Sequence, residues 1–162
     1  TAAWIEQILG EDNVIEHTDI GLRAKTAPPV GGGARHIVFR DNALKDIKKQ
    51  AFLFTSGYSD PNAVVQYVPA PLPPQFRDIF IKNCTVDTTG AAAIEVNGTA
   101  NGPHENLHFE NIVFHNAKPI KLNYLKNSSF NNITFDDYTV NPWIITNSSG
   151  LIFNNNNPEP RT

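Results

Sequence analysis

The sequence has no methionine and a single cysteine among its 162 residues. Cys84 has no partner in the chain, so an intramolecular disulfide is excluded; it reads as a small buried hydrophobe rather than a reactive thiol. No apolar run is long enough to cross a bilayer as a helix. Basic charge is scarce. The 13 Lys and Arg stand against 16 Asp and Glu, a net charge of −3. That balance argues against general nucleic-acid binding and leaves any anionic ligand to be met by local cations. No segment sustains a 3.6-residue apolar period, so amphipathic helices are not expected. The histidines, His17, His36, His104, His108 and His115, are scattered in the sequence. They do not form a metal-ligand spacing, and no metal is expected. Thr1 in place of methionine reads as a processed or cut beginning, and no signal peptide indicates a destination.

What is present is a repeat. "ILGEDNVIE" from Ile8, "IVFRDNALK" from Ile37, "IFIKNCTVD" from Ile79, "LHFENIVFH" from Leu107 and "SSFNNITFD" from Ser128 align on Asp12, Asp41, Asn83, Asn111 and Asn132. Each repeat is followed by a second strand-like run: "IGLRAKT", "AFLFTSG", "AAIEVNG", "PIKLNYL" and "PWIITNS". Alternating apolar positions with β-branched and aromatic residues predict strands, and Asp, Asn and Gly between them predict turns. Repeats of this length built from short strands fit a solenoid whose coils stack about 4.8 Å apart. The expected fold is all-β: a right-handed parallel β-helix of about five turns over residues 1–154, with a polar tail at 155–162. An antiparallel β-sandwich is the alternative; the fixed Asp/Asn register favours the solenoid. A long loop interrupts the repeat at 56–74, within a region, 61–103, that holds six of the twelve prolines. Five Asn-X-Ser/Thr sequons, at Asn83, Asn97, Asn127, Asn132 and Asn147, are what an Asn-rich chain produces by composition.

In "DIGLRAKT", Ile20, Leu22 and Ala24 alternate with Gly21, Arg23 and Lys25. The apolar set should face the core, and Arg23 and Lys25 should stand together outside. Adjacent cations suit an anion lying between them, because a guanidinium grips a carboxylate bidentately and an ammonium adds a point charge.

"GLRAKTAPPVGGGARHIVFRDNALKDI", with "QAFLFTSGYSDP" and "FRDIFIKNCTV" after it, resembles the R-x-K signature region of family 28 glycoside hydrolases, the polygalacturonases. The resemblance covers about residues 4–115. It implies a parallel β-helix, inverting hydrolysis of α-1,4-galacturonan without a cofactor, and a secreted, periplasmic or extracellular protein acting on pectin. It also implies that Arg23 and Lys25 hold a galacturonate carboxylate, with Tyr58 packing on the same sugar. Inversion needs a pair of carboxylates, which the family supplies from N-T-D and D-D motifs, with a G-H-G motif, on turns before the R-x-K strand. None of the three occurs in the residues before Arg23. Glu6, Glu11, Asp12, Glu16, Asp19 and His17 stand there outside those contexts, and Asp136–Asp137 come three turns later. "TAAWIEQI" is similar to sequence that follows the family's catalytic histidine.

The chain is therefore identified as a C-terminal portion of a polygalacturonase-like enzyme, holding part of the substrate site, without catalytic residues of its own and expected to be inactive alone. A non-catalytic module for acidic polysaccharide and a structural β-solenoid are the alternatives. A pectate lyase would need an acidic calcium cluster that is not seen near Arg23. Expected partners are a galacturonan or pectin oligosaccharide, and either a missing N-terminal half or a second copy at the open β-helix end. Nucleic acid and membrane are not expected partners.

Overall fold

Alternation turns every second residue of a strand inward, and the isoleucines, leucines and phenylalanines so selected meet in one continuous core. A computed structural model describes residues 3–59 and 68–161; residues 60–67 of the expected 56–74 loop lie outside the described residues. The first strands are β1 (Trp4–Glu11), β2 (Val14–Glu16), β3 (Leu22–Lys25), β4 (Gly33–Arg40), β5 (Ala43–Ile47), β6 (Gln50–Thr55) and β7 (Gln75–Thr89). They are followed by β8 (Ala92–Asn97), β9 (His104–His115), β10 (Ile120–Asn123), β11 (Leu125–Lys126), β12 (Ser129–Phe135), β13 (Trp143–Thr146) and β14 (Ile152–Asn154). No helix occurs among the described residues. All pairings between strands are parallel. One sheet stacks β1-β4-β7-β9-β12-β14, with β2 and β5 continuing it round the coil. The other stacks β3-β6-β8-β10-β13. The runs that follow each repeat are the strands of this second sheet. This is a parallel β-helix, and the β-sandwich is excluded.

Single left-handed residues make the corners. The repeat positions Asp12, Asp41, Asn83, Asn111 and Asn132 all have φ between +52° and +56°. Two further sets flank them at five-residue intervals: Gln7, His36, Asp78, Asn106 and Asn127 before, and His17, Asp46, Thr88 and Asn116 after. Four residues of strand followed by one left-handed residue bend the chain without a loop. Asn and Asp tolerate that conformation best, because a short polar side chain can bond locally. The bonds run along the axis: Asn83 Nδ2 donates to Asp41 Oδ1 at 2.9 Å, Asn111 to Asn83 at 3.1 Å, and Asn132 to Asn111 at 2.9 Å. A second ladder joins Asn147 to Asn123 and Asn123 to Asn97, at 2.9 and 3.0 Å. Sequon asparagines Asn83, Asn97, Asn132 and Asn147 are thus ladder members.

Asn111→Ala should lose two exposed ladder bonds and place a Cβ-only residue at positive φ. The expected loss is about 2–3 kcal/mol. Asn111→Gly should lose the bonds but recover the backbone part, so urea titrations of the pair separate the two. Equal losses would show that the corner does not constrain residue type.

Inside, phenylalanines stack coil on coil. Phe109, Phe130 and Phe153 lie 5.0 and 5.4 Å apart, and Phe114 stacks on Phe135 at 4.9 Å. Cys84 is buried among them; desolvation pushes its thiol up to about 11, consistent with a packing role. The segment from 155, read from composition as a polar tail, is tied to the last coil. Asn155 makes a further left-handed corner, and Asn156 is buried, accepting from Ile133 N and donating to Phe130 O. Trp143 Nε1 donates to Pro158 O at 2.7 Å. Composition misleads here because a buried asparagine that satisfies backbone groups is structural. At the opposite end, among the described residues β1 pairs on one side alone, with β4, and leaves Ile5, Ile8 and Leu9 exposed.

Candidate functional site

In β3, Leu22 and Ala24 pack against the core while Arg23 and Lys25 are exposed on the outer face, as the alternation requires. β3 pairs with β6 so that Arg23 lies beside Leu53 and Lys25 beside Thr55. The chain then turns through Ser56 and Gly57. Gly57 N donates to Thr55 Oγ1, and Tyr58 N donates to Thr26 O at 3.2 Å, which draws Tyr58 back over β3. Its ring lies 3.6 Å from Lys25 Nζ and 5.8 Å from Arg23 Cζ, measured to the centroid. Arg23, Lys25 and Tyr58 are therefore one cluster. The ammonium rests on the ring's negative face, a contact that contributes about 0.5–1 kcal/mol at an exposed site.

The charge environment sets this cluster apart. On the first sheet, Arg35 holds Glu6 at 2.7 Å and Arg40 holds Glu11 at 2.6 Å. Between the sheets, Lys49 holds Asp19 at 3.1 Å. That hydrogen bond and the Lys49 charge keep Asp19 below the usual carboxylate range, with Lys48 and Arg23 adding smaller pulls. Among the described residues, Arg23 and Lys25 have no carboxylate within ion-pair distance. Two adjacent cations without counter-charge thus stand next to an aromatic ring.

The other acids considered from sequence are placed elsewhere. Glu6, Glu11 and Glu16 belong to the first sheet, Asp12 is a corner, and His17 sits 3.3 Å from Asp46. Asp136 contacts His115, several coils from Arg23. No cluster of three or more metal-ligating side chains occurs among the described residues. A cavity of about 470 Å³ lies within the first coil, walled by Ile5, Ile8, Leu22, Ala24, Phe54 and Phe76. Its walls are mainly apolar, and Arg23 and Lys25 are the charged residues on its lining.

Two neighbours of the cluster were not singled out in the sequence. Leu53 is 6% exposed, lies outside the core cluster and stands beside Arg23 in the register. Glu95 follows it in the same column, because Leu53 pairs with Glu95 across β6 and β8. The alternation of "QAFLFT" and "AAIEVN" carries this signal once the register is known.

The model of the glycosyl hydrolases family 28 matches residues 2–128. An exo-poly-alpha-D-galacturonosidase of Dickeya chrysanthemi is 42% identical over 149 residues, covering 88% of this chain and 25% of that protein. A family 28 exopolygalacturonase of Yersinia enterocolitica has a solved structure that superposes with a TM-score of 0.82 at 40% identity, covering 93% of this chain and 27% of that one. The chain spans about a quarter of the length of these relatives. With a parallel β-helix, a matching family model and this degree of identity, the chain belongs to family 28 of the glycosyl hydrolases.

Proposed function

We propose that this chain supplies the uronate-holding part of a galacturonan-hydrolysing enzyme, with Arg23 and Lys25 gripping a galacturonate carboxylate and Tyr58 packing on the sugar. The observation that carries this reading is the pair of cations without counter-charge gathered at one aromatic ring. The similarity to two galacturonan-degrading enzymes supports the choice of uronate over other anions. The substrate is then an acidic polysaccharide of the pectin class, and the working place is outside the cytoplasm. By itself the chain binds and does not cleave: the acids ahead of Arg23 are committed to ion pairs, to a corner or to the first sheet. A reducing-end assay on the purified chain should show no turnover above background. The same chain should self-associate, or pair with a preceding coil, through the free edge of β1. A clean monomer by sedimentation at high concentration argues against that pairing.

The test of the clamp is binding of trigalacturonate by calorimetry. A hydrogen bond to a charged group contributes about 1.5–3 kcal/mol. Arg23→Ala should therefore weaken binding roughly ten- to a hundredfold. Lys25→Ala should cost less, since it removes a point charge and no bidentate fork. Both losses should shrink on the methyl-esterified trimer. Equal losses on acid and ester would assign these residues to the fold.

A further inference from the structure

The outer column of the second sheet reads Arg23, Leu53, Glu95, Lys121, one residue per strand. Strands in a sheet are about 4.8 Å apart, so Glu95 stands about 10 Å down the axis from Arg23. β3 is the edge of this sheet in the chain, so a bound saccharide that continues over the described residues runs across β6 toward β8. Leu53, between Arg23 and Glu95, is buried and carries no charge. Beyond it the saccharide meets a carboxylate.

Glu95 is a held group. Gln50 Nε2 donates to Glu95 Oε2 at 2.8 Å, while Gln50 Oε1 is buried without a partner. Gln50 thus accepts an unsatisfied oxygen while its amide nitrogen fixes Glu95. Glu95 Oε1 has no hydrogen bond among the described residues, and the residue is half-buried on the outer face of β8. Lys121 lies opposite Glu95 in the register but not within ion-pair distance.

Resting on the uronate reading above, we propose that Glu95 determines which saccharide the groove accepts beyond the clamped sugar. A free carboxylate placed near Glu95 meets a like charge. A methyl-esterified or neutral unit meets an acceptor for its hydroxyls. The column therefore selects for one anionic sugar at Arg23 and Lys25 and against a second free carboxylate at Glu95. Specificity of this kind comes from a repulsive element as much as from attraction.

The experiment measures calorimetric affinities of the 162-residue chain for trigalacturonate and for its methyl ester. Glu95→Gln keeps the shape and the Gln50 contact while removing the charge. It should bind the free acid about three- to tenfold tighter and leave the ester within twofold. The gain should fall as salt is raised from 0.05 to 0.5 M. Lys121→Gln, at an exposed position, should act oppositely and weaken the free acid alone. An unchanged acid-to-ester ratio in Glu95→Gln, with Arg23→Ala still weakening the acid, overturns the role of Glu95 and leaves the clamp standing. If Arg23→Ala has no effect either, the uronate reading falls and the Glu95 proposal falls with it.

Discussion

Gly33→Ala is expected to destabilise the protein by about 4 kcal/mol or more, the largest effect of any conservative change considered. Gly33 has φ +139°, a conformation that side chains of L-residues rarely adopt. A Cβ there would lie 1.8 Å from the carbonyl oxygen of Gln75, far inside contact distance. The obstacle is backbone, and it belongs to the strand that pairs with β4: Gly33 lies opposite Gln75 where β4 meets β7. Gln75 N also donates to Gly32 O, and Gly33 N to Ala3 O, so three coils converge on this turn. Relief would require parting β4 from β7 at their start. Strain of this kind costs about 1–3 kcal/mol for the dihedral alone, before the clash is counted. Gly10→Ala is the control. Its Cβ would meet only the Phe39 ring, at 3.0 Å, and a ring can give by a few tenths of an ångström. Urea unfolding should place Gly10→Ala within about 1 kcal/mol of the parent. A Gly33→Ala protein as stable as that control would mean that the approach of β4 to β7 is not as tight as described.

His104 should make stability fall with acid. It is fully buried, with its ring 4.7 Å from that of Phe76. Nδ1 accepts from Phe76 N at 3.1 Å, so the proton of the neutral ring is on Nε2, which is buried without a hydrogen-bond partner. A second proton would put a charge in the core. Burial pushes His104 from its ordinary 6.5 down to about 4, and the Asn97 backbone offsets this only in part. The unfolded chain takes up a proton near pH 6.5 that the folded chain refuses until about pH 4. Stability from this group is therefore complete above pH 6.5 and is lost as the pH falls toward 4. At 1.36 kcal/mol per pH unit, the loss is about 3 kcal/mol. His104→Asn retains an acceptor for Phe76 N and removes the titration. Its stability should fall less steeply between pH 6.5 and 4 than that of the parent. Parallel curves would show that His104 does not control this window.

The repeat was readable because left-handed corners restrict residue type. Asp12, Asp41, Asn83, Asn111 and Asn132 share one chemistry and so align by eye. The flanking corners hid themselves: Gln7, His36 and Thr88 are not turn-forming residues, yet each takes a positive φ. Their five-residue offset from the visible corners was the available signal. The outward placement of Arg23 and Lys25 was legible from alternation, while their reading as a site came from the family resemblance. The approach of Tyr58 to them depends on the Ser56–Gly57 turn and its bond to Thr26, which no local pattern announces. Glu95 was invisible for a different reason. It becomes a neighbour of the cluster only through the register of β3, β6 and β8, and register in a solenoid is a property of the stack, not of a strand.

The corner after each strand of the second sheet has one consequence for how such a scaffold can change. Chain length varies widely there: residues 26–32 follow β3, 56–74 follow β6, 98–103 follow β8, and Tyr124 alone follows β10. Where one residue must close the corner, even a tyrosine accepts φ +52°. The stacked columns on either side keep their pairing throughout. Tyr58 comes from the longest of these connections and faces the clamp. These connections can therefore be lengthened, shortened or exchanged while the core and the two cations stay in place. Descendants of this chain can change what stands beside Arg23 and Lys25 by loop grafting at that one edge, and an engineer can do the same, without redesigning a single buried residue.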